Sequence, residues 1–323
     1  MIIFQQPSGL RFKLDQNNFT AKIIESSEVI NDVFIPRSIK YNSQEYLITE
    51  IEDGSFSNNY KIYSIIFSQD SEIRSIGQIF NSAIKKLTLP PKIEEFKDGW
   101  CKYTNSLVTV NLVGSNKNFK YLDDDHNIIV GKTNHNSDDY DIIIFANRNI
   151  KHFKVPSSIT RIGPYSFDRS SLKFLEFEEN SKLTIIDQMA FNYSNLEYIK
   201  IPSSLKVLNE DWLGNINHGI QIEISPGNSN FKLNENKTIL FGKSDPNNDY
   251  FDVIIRSLKS MQNIVIPSYI KRINSYAFVC NNLKSVEFEA GSKLTYIGKY
   301  AFYRAEIRNV TIPPTVKYLL SEC

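Results

Sequence analysis

The chain repeats itself at long range. The segment SKLTIIDQMAF at residues 181–191 returns as SKLTYIGKYAF at residues 292–302, 111 positions later. A fixed internal period indicates a tandem array of similar units rather than one unrepeated globular core. Such an array lengthens by adding units, so a chain of 323 residues does not need a second, separate core.

A shorter period lies inside the long one. It has the form apolar-x-x-apolar-x-apolar, often followed by proline. The copies begin at Ile30, Ile62, Ile84, Leu107, Ile150, Leu172, Leu196, Met261, Leu283 and Ile307, with a degenerate copy at Gly219. From Ile150 the starts step by 22, 24, 23 and 42 residues, and 22–24 is the leucine-rich-repeat period. The last two apolar positions alternate with polar ones, which predicts a strand buried on one side.

Between the strands lies a second pattern, Ile-x-x-x-Ala/Ser-Phe, which ends at Phe167, Phe191, Phe278 and Phe302. The small residue lets the return segment approach the strands, and the aromatic ring fills the inside of the coil. The glycines at one repeat position, Gly77, Gly163 and Gly298, are interpreted as turn residues. Together the patterns predict a right-handed leucine-rich-repeat solenoid, α/β leaning to mainly β, with parallel strands and short 3₁₀ or helical returns.

Each long step contains extra residues, at about 117–146 and 229–256, which read as hairpin insertions around Asn/Asp-rich turns. We expect residues 1–29 to form an N-terminal capping hairpin and residues 30–323 to form the solenoid. In the 111-residue period, Cys323, the last residue, corresponds to Trp212, which lies within a coil. We therefore expect a C-terminal truncation in mid-coil. The alternative is a natural edge that pairs with another copy of the chain.

Composition restricts the function classes. With 37 basic and 36 acidic residues the net charge is +1, which favours neither nucleic acid nor an anionic membrane. The three cysteines are far apart and odd in number, which argues against a disulfide framework or a thiolate zinc site. There is no apolar run long enough to span a membrane, and the N-terminal sequence lacks the pattern of a signal peptide.

The segments IPSSLKVL, IPSYIKRINSYAF, LKSVEFEAGSKLTYIGKYAF and AFVCNNL resemble the BspA-like leucine-rich repeat family. Its repeat looks like IPxSVTxIGxxAFxxCxxLxxVxI, and Cys280 occupies the cysteine position. The resemblance covers about residues 30–320. It implies a surface or secreted antigen, in some members an adhesin that binds host matrix proteins or other cells.

The polar positions of the repeat predict a binding surface on the concave strand face. One ladder reads Lys154, Glu176, Lys200, Glu223, either a solubilising salt-bridge ladder or a charged recognition strip. A parallel ladder brings His152, Phe174 and Tyr198 together, either packed over the strands or exposed as an interface hot spot. The predicted protein-binding residues are His152, Phe174, Tyr198, Lys151, Lys154, Lys173, Glu176 and Lys200.

Other site types have little support in the sequence. None of the four histidines stands near a nucleophile in the repeat frame, and no catalytic or phosphate-binding motif occurs, so we expect no enzyme and no cofactor. The hairpin turns are rich in carboxylates but lack the spacing of a twelve-residue calcium loop, so we expect no metal. Four sequons would accept glycans in a secreted protein, at Asn18, Asn192, Asn236 and Asn309.

Two functional hypotheses follow, both non-enzymatic. The resemblance favours a surface antigen or adhesin whose concave face binds a host matrix or cell-surface protein. The missing signal peptide and membrane segment favour an intracellular scaffold, cytosolic or cytoskeletal, that binds an endogenous protein. Neither hypothesis involves nucleic acid or insertion into a membrane.

Overall fold

The computed structural model describes residues 2–57, 59–79, 83–102, 104–216, 219–279 and 282–322. Every regular element among them is a β-strand. The chain divides into two compact units, Met1–Ile150 with Gly163–Ser171, and Lys151–Ile162 with Leu172–Cys323.

The first unit is a stack of coils that begins with an antiparallel meander. Its strands are β1 Ile2–Gln5, β2 Arg11–Asp15, β3 Thr20–Glu25, β4 Asn31–Ile35, β5 Ser38–Tyr41, β6 Gln44–Ile51, β7 Ile62–Phe67, β8 Ser75–Ile76, β9 Lys86–Leu89, β10 Glu95–Phe96, β11 Thr109–Leu112, β12 Phe119–Tyr121, β13 Ile128–Gly131 and β14 Ile142–Ala146. Strands β1 to β3 pair antiparallel, and β3 then pairs parallel with β6. That β1–β3 act as a cap for the stack stays a prediction.

The coils of the first unit contribute parallel strands to two sheets. The longer strands form a sheet in the order β4-β7-β9-β11, and the returning segments continue the second sheet as β6-β8-β10. Every copy of the apolar repeat in this unit forms a strand of the first kind, which we call a rung. Corresponding repeat positions lie side by side, as in the pairing of Ile65 with Leu87 and of Leu87 with Val110.

The second unit repeats this arrangement. Its strands are β15 His152–Val155, β16 Arg161–Ile162, β17 Phe174–Phe177, β18 Ile185–Ile186, β19 Tyr198–Ile201, β20 Val207–Leu208, β21 Gln221–Ile224, β22 Lys232–Leu233, β23 Ile239–Gly242, β24 Val253–Ser257, β25 Asn263–Ile266, β26 Arg272–Ile273, β27 Ser285–Phe288, β28 Tyr296–Ile297 and β29 Tyr318–Leu319. Rungs β15, β17, β19 and β21 form one parallel sheet and β25 and β27 another.

Alternation along each rung separates core from surface. Leu175, Ile199 and Ile222 are buried, while the residues on either side of them face solvent or are half-buried. The aromatic residues of the returns complete the core, since Phe167, Phe191 and Phe278 have no exposed surface. Burying a phenylalanine side chain in this way stabilises the fold by roughly 1.5–3 kcal/mol. Within each unit the core is therefore a ladder of like residues from successive coils, as the solenoid prediction requires.

The extra residues of each long step form antiparallel strands. In the first unit β12, β13 and β14 pair in sequence, and in the second β22, β23 and β24 do the same. Strand β24 then pairs parallel with β26 and so joins the row of returns β26-β28-β29. The insertion thus supplies the return segment of its own coil.

Three details differ from the sequence expectations. The returns are hydrogen-bonded turns and two-residue strands, without the expected 3₁₀ or helical segments in the described chain. The copy that begins at Ile307 forms no strand; a strand there would have β27 as its one neighbour in the described chain. The glycine position is not a left-handed turn: a Cβ on Gly298 would lie 2.3 Å from the backbone nitrogen of Ser275, so close backbone approach explains the residue.

Candidate binding surface

The parallel register of the second unit brings the predicted aromatic residues together. His152 pairs with Phe174 across β15 and β17, and Phe174 pairs with Tyr198 across β17 and β19. In-register parallel strands place the same repeat position of successive coils about 4.8 Å apart. The repeat spacing alone therefore aligns these three side chains on one side of the sheet, which we call the rung face.

The three aromatic side chains form a continuous row. The rings of His152 and Phe174 are stacked, with centroids 4.9 Å apart and an interplanar angle of 7°. Phe174 and Tyr198 follow at 6.5 Å with a 40° tilt. Phe174 remains 38% exposed and His152 is exposed, while Tyr198 is half-buried. The row therefore packs along the sheet and still presents apolar surface to solvent. That this surface is an interface hot spot stays a prediction.

Tyr198 anchors the end of the row. Its hydroxyl donates a hydrogen bond to Glu223 at 3.0 Å. Burial, this hydrogen bond and the negative charges of Glu223 and Glu176 raise the pKa of Tyr198 above its ordinary value. The phenol stays protonated at physiological pH and keeps the carboxylate of Glu223 in place.

The predicted lysines surround the row, and their pairing differs from the predicted ladder. Lys154 lies opposite Glu176 and Lys200 opposite Glu223, as expected from the register. No ion pair forms within that ladder in the described chain. Lys173 instead pairs with Glu197 at 2.7 Å, with both side chains about half exposed. The salt-bridge interpretation of the ladder is therefore wrong for these residues, and exposed pairs of this kind contribute only a few tenths of a kcal/mol.

The charged side chains of the predicted set are all exposed, and all but Lys173 lack an ion pair in the described chain. The exposed residues of the predicted set, apart from the aromatic row, are Lys151, Lys154, Lys173, Glu176 and Lys200. His152, Phe174, Lys154 and Glu176 also line an open groove of about 370 Å³ together with Phe153. The rung face thus combines a shallow apolar groove with a rim of mostly positive charge.

A second set of exposed apolar residues was not expected from the sequence. On the first unit's rungs, Phe34 and Ile66 pair across β4 and β7 and are 60% and 40% exposed. Tyr63 is 44% exposed, with the ammonium groups of Lys85 and Lys86 5.4 and 5.7 Å from its ring centroid. The signal was present in the sequence, because Phe34 and Ile66 occupy the position that is polar in most other copies.

The described residues give no support to a metal or a nucleophile. No cluster of three or more metal-binding side chains occurs among them. In the carboxylate-rich turn of the first insertion, the carboxylate of Asp123 accepts backbone hydrogen bonds from Asn127 and Ile128.

Cys101 is buried, and burial raises the pKa of its thiol to about 11 against the opposing charge of Arg148. A protonated, inaccessible thiol is not a nucleophile.

Three further expectations concern individual positions. Asn192 has no exposed surface and accepts a backbone hydrogen bond from Asn215, so the folded protein cannot carry a glycan there. Asn18, Asn236 and Asn309 are exposed. Cys280, Cys323 and His218 lie outside the described residues. A helix that could cross a lipid bilayer is absent from the described part of the chain.

A comparison with protein-family models identifies the family of the chain. The model of the BspA-type leucine-rich repeat region matches residues 18–122, 142–239 and 252–323, in 6 copies. The chain belongs to this family. Leucine-rich repeats typically serve as non-enzymatic interaction scaffolds that use an extended strand surface. Among curated proteins, no sequence matches the chain.

The fold also has a counterpart among solved structures. A leucine-rich repeat protein from Eubacterium ventriosum is 16% identical with a TM-score of 0.50, over 98% of this chain and 92% of that one. The pneumococcal vaccine antigen PcpA is 20% identical with a TM-score of 0.46, over 98% and 71%. A leucine-rich cell surface protein from Faecalibacterium prausnitzii is 17% identical with a TM-score of 0.42, over 98% and 76%.

Proposed function

We propose that the chain is a cell-surface adhesion module that binds a protein partner through the rung face of its second unit. The observation that carries the proposal is the aromatic row, in which Phe174 stays 38% exposed although its ring stacks on His152. Exposed aromatic side chains beside cationic ones have the composition of interface hot spots. Membership of the BspA-type family supports the surface location.

The charges of the rung face favour an acidic partner surface. Lys151, Lys154 and Lys200 are exposed, and no carboxylate forms an ion pair with them in the described chain. A partner with carboxylates around an apolar contact would complement both the lysines and the ring of Phe174. Complementary charge of this kind accelerates association and selects the partner more than it tightens the complex.

Removal of the aromatic row tests the proposed surface. The double variant F174A/Y198A should bind intact host cells and immobilised matrix proteins at least about tenfold more weakly, because hot-spot side chains contribute roughly 2 kcal/mol or more. Its melting temperature should fall by only a few degrees, since both rings are partly exposed.

The matched control is V265A, which removes an exposed apolar side chain from a different rung sheet. Equal loss of binding in V265A would contradict the assignment of the surface. A large fall in the melting temperature of the double variant would place Phe174 and Tyr198 in the core. Antibody staining of intact and permeabilised producing cells tests the location; a signal only after permeabilisation would favour an intracellular scaffold instead.

A further inference from the structure

A groove of about 370 Å³ opens in the second unit beside the row of returns, away from the residues of the aromatic row. We call it the return groove. Its floor includes Leu208, Phe231 and Ile255, each with 6–8% of its surface exposed. Three cationic side chains, Lys206, Lys243 and Arg272, and one carboxylate, Glu210, also line it. An apolar floor with convergent charged groups is the usual make-up of a small-molecule site.

Most of the charge in the return groove is uncompensated. Arg272 is paired with Glu210, and its guanidinium lies 3.7 Å from the centroid of the Tyr296 ring. Lys206 and Lys243 form no ion pair with a carboxylate in the described chain. Lys243 has only a cation–π contact, 5.2 Å from the Phe251 ring. The groove therefore carries two free ammonium groups.

The corresponding residues in the first half of the chain differ at the position of this groove. The segment PPKIEEFKDGW at residues 90–100 corresponds to PSSLKVLNEDW at residues 202–212. Phe96 stands where Leu208 does, and its ring lies 4.9 Å from Phe119 and 4.5 Å from Trp100. Glu94 stands where Lys206 does.

Both substitutions, Leu208 for Phe96 and Lys206 for Glu94, favour a positively charged groove in the second copy. The larger ring of Phe96 fills the space beside Phe119, whereas the smaller Leu208 leaves space beside Phe231. The carboxylate of Glu94 is engaged with Arg74 at 2.5 Å, whereas Lys206 contributes a free positive charge. The second copy therefore has a smaller side chain and a free positive charge where the first copy has a larger ring and a paired carboxylate.

We propose that the return groove binds an amphipathic organic anion. Its acid group would lie between the ammonium groups of Lys206 and Lys243, and its apolar body against Leu208, Phe231 and Ile255. The charge selects a carboxylate, sulfate or phosphate ester over a neutral ligand, and the apolar floor selects an organic anion over an inorganic one. The site is separate from the rung face and does not depend on the adhesion function.

Anilinonaphthalene sulfonate is a suitable probe, because it joins an aromatic body to one negative charge and fluoresces when its surroundings become apolar. Titration of the intact folded protein should give saturable binding. L208F, which introduces the side chain of the first copy, should abolish that binding by filling the groove. K206E should weaken it roughly fivefold or more, since it removes an attraction and adds a repulsion.

The control variant is K284E, which reverses an exposed lysine outside the groove and should leave the titration unchanged. Phenylnaphthylamine, which has the aromatic body without the sulfonate, should bind much more weakly than the sulfonate. Absence of saturable binding to the wild-type protein, or equal binding by wild type and K206E, would overturn the proposal. K206E changes an exposed side chain, so it decides the question even if L208F fails to fold.

Discussion

At the scale of single residues, buried charged groups are the feature that the repeat pattern does not predict. Arg256 is 5% exposed and donates hydrogen bonds to the backbone carbonyls of Gly214, Ile216 and Tyr276 at 2.9–3.1 Å. Arg148, which is 3% exposed, bonds carbonyls of the first unit in a similar way. Each guanidinium satisfies turn carbonyls that would otherwise be buried without donors, which offsets part of the cost of burying the charge.

Asp211 is a buried charge that is poorly compensated. Burial raises the pKa of its carboxyl from the ordinary 3.8 to about 6, although a hydrogen bond from Ser275 and the charges of Arg256 and Lys299 act in the opposite direction. Its Oδ1 atom is buried and has no hydrogen-bond partner among the described residues. Above about pH 6 the carboxylate is ionised in both the folded and the unfolded chain, so its desolvation cost is fully present at neutral pH.

Replacing Asp211 by asparagine should therefore stabilise the protein at neutral pH. We expect the free energy of unfolding at pH 7.5 to rise by up to about 3 kcal/mol, which corresponds to the shift of roughly two pKa units. Asparagine also tolerates the left-handed backbone at this position, where φ is 65°. As the pH falls from 7 towards 4, the folded wild-type protein takes up a proton and gains stability, so the difference between wild type and variant should shrink.

Urea denaturation of both proteins across this pH range measures that difference. D252N is the control of opposite sign: despite burial, the hydrogen bond from Ser244 and the ammonium group of Lys271 hold the pKa of Asp252 below its ordinary value. That variant should lose stability at neutral pH. A D211N effect that stays constant with pH would contradict the assigned pKa.

At the scale of elements, one asparagine fastens each inserted hairpin to the coil before it. The side chain of Asn228 donates to the carbonyls of Pro202 and Leu205 at 2.8 and 3.0 Å and accepts from the backbone N–H groups of Asn230 and Phe231. Asn116 makes the corresponding four bonds in the first unit. The amide is suited to this role because it combines two donors with an acceptor.

Asn228→Asp should loosen the second hairpin, because a carboxylate keeps the acceptor bonds but cannot donate to Pro202 and Leu205. It also brings negative charge close to two carbonyl oxygens. We expect a loss of about 2–4 kcal/mol in the free energy of unfolding. Hydrogen exchange should show the first loss of protection in β22 and β23. Asn247→Asp, an exposed change in the same insertion, should have almost no effect; equal loss in both variants would contradict the tethering role.

At the scale of the whole molecule, the positions of the strands could be predicted from the sequence far better than the binding surface could. Position in the repeat determines whether a rung residue faces the core, so the register of β15, β17, β19 and β21 could be predicted from spacing. Whether an apolar side chain at an outward position belongs to a binding surface could not be predicted. The same position holds Phe34, Ile66 and Val265 in some coils and Lys154 in another, and nothing in the period distinguishes them.

Details that depend on side-chain geometry were the least predictable. The ladder of Lys154 and Glu176 had the right register but formed no ion pair, because long exposed side chains lose entropy when held in one geometry. The return groove depends on the presence of Leu208 where the first copy has the larger Phe96. It also depends on which of the neighbouring charged side chains form ion pairs. Such features appear only when three-dimensional neighbours from different coils are known.

A solenoid is stabilised by contacts between neighbouring coils, so the cost of a core substitution should depend on its immediate neighbours. Phe278 is fully buried and its ring stacks on Phe302, with centroids 5.3 Å apart and an angle of 2°. Phe302 is half-buried. We expect Phe278→Leu to lower the free energy of unfolding by about 1–3 kcal/mol and Phe302→Leu to lower it by less.

A double-mutant cycle should then reveal the coupling between the two coils. Loss of the ring stack in either single variant removes the same contact, so the double variant should be more stable than the sum of the single losses by about 0.5–1.5 kcal/mol. Phe191, whose ring packs against Trp212 at 6.0 Å, provides the comparison. Urea denaturation should show additive losses for Phe191→Leu with Phe278→Leu. Equal coupling in both cycles would mean that stability is shared across the coils rather than between neighbours.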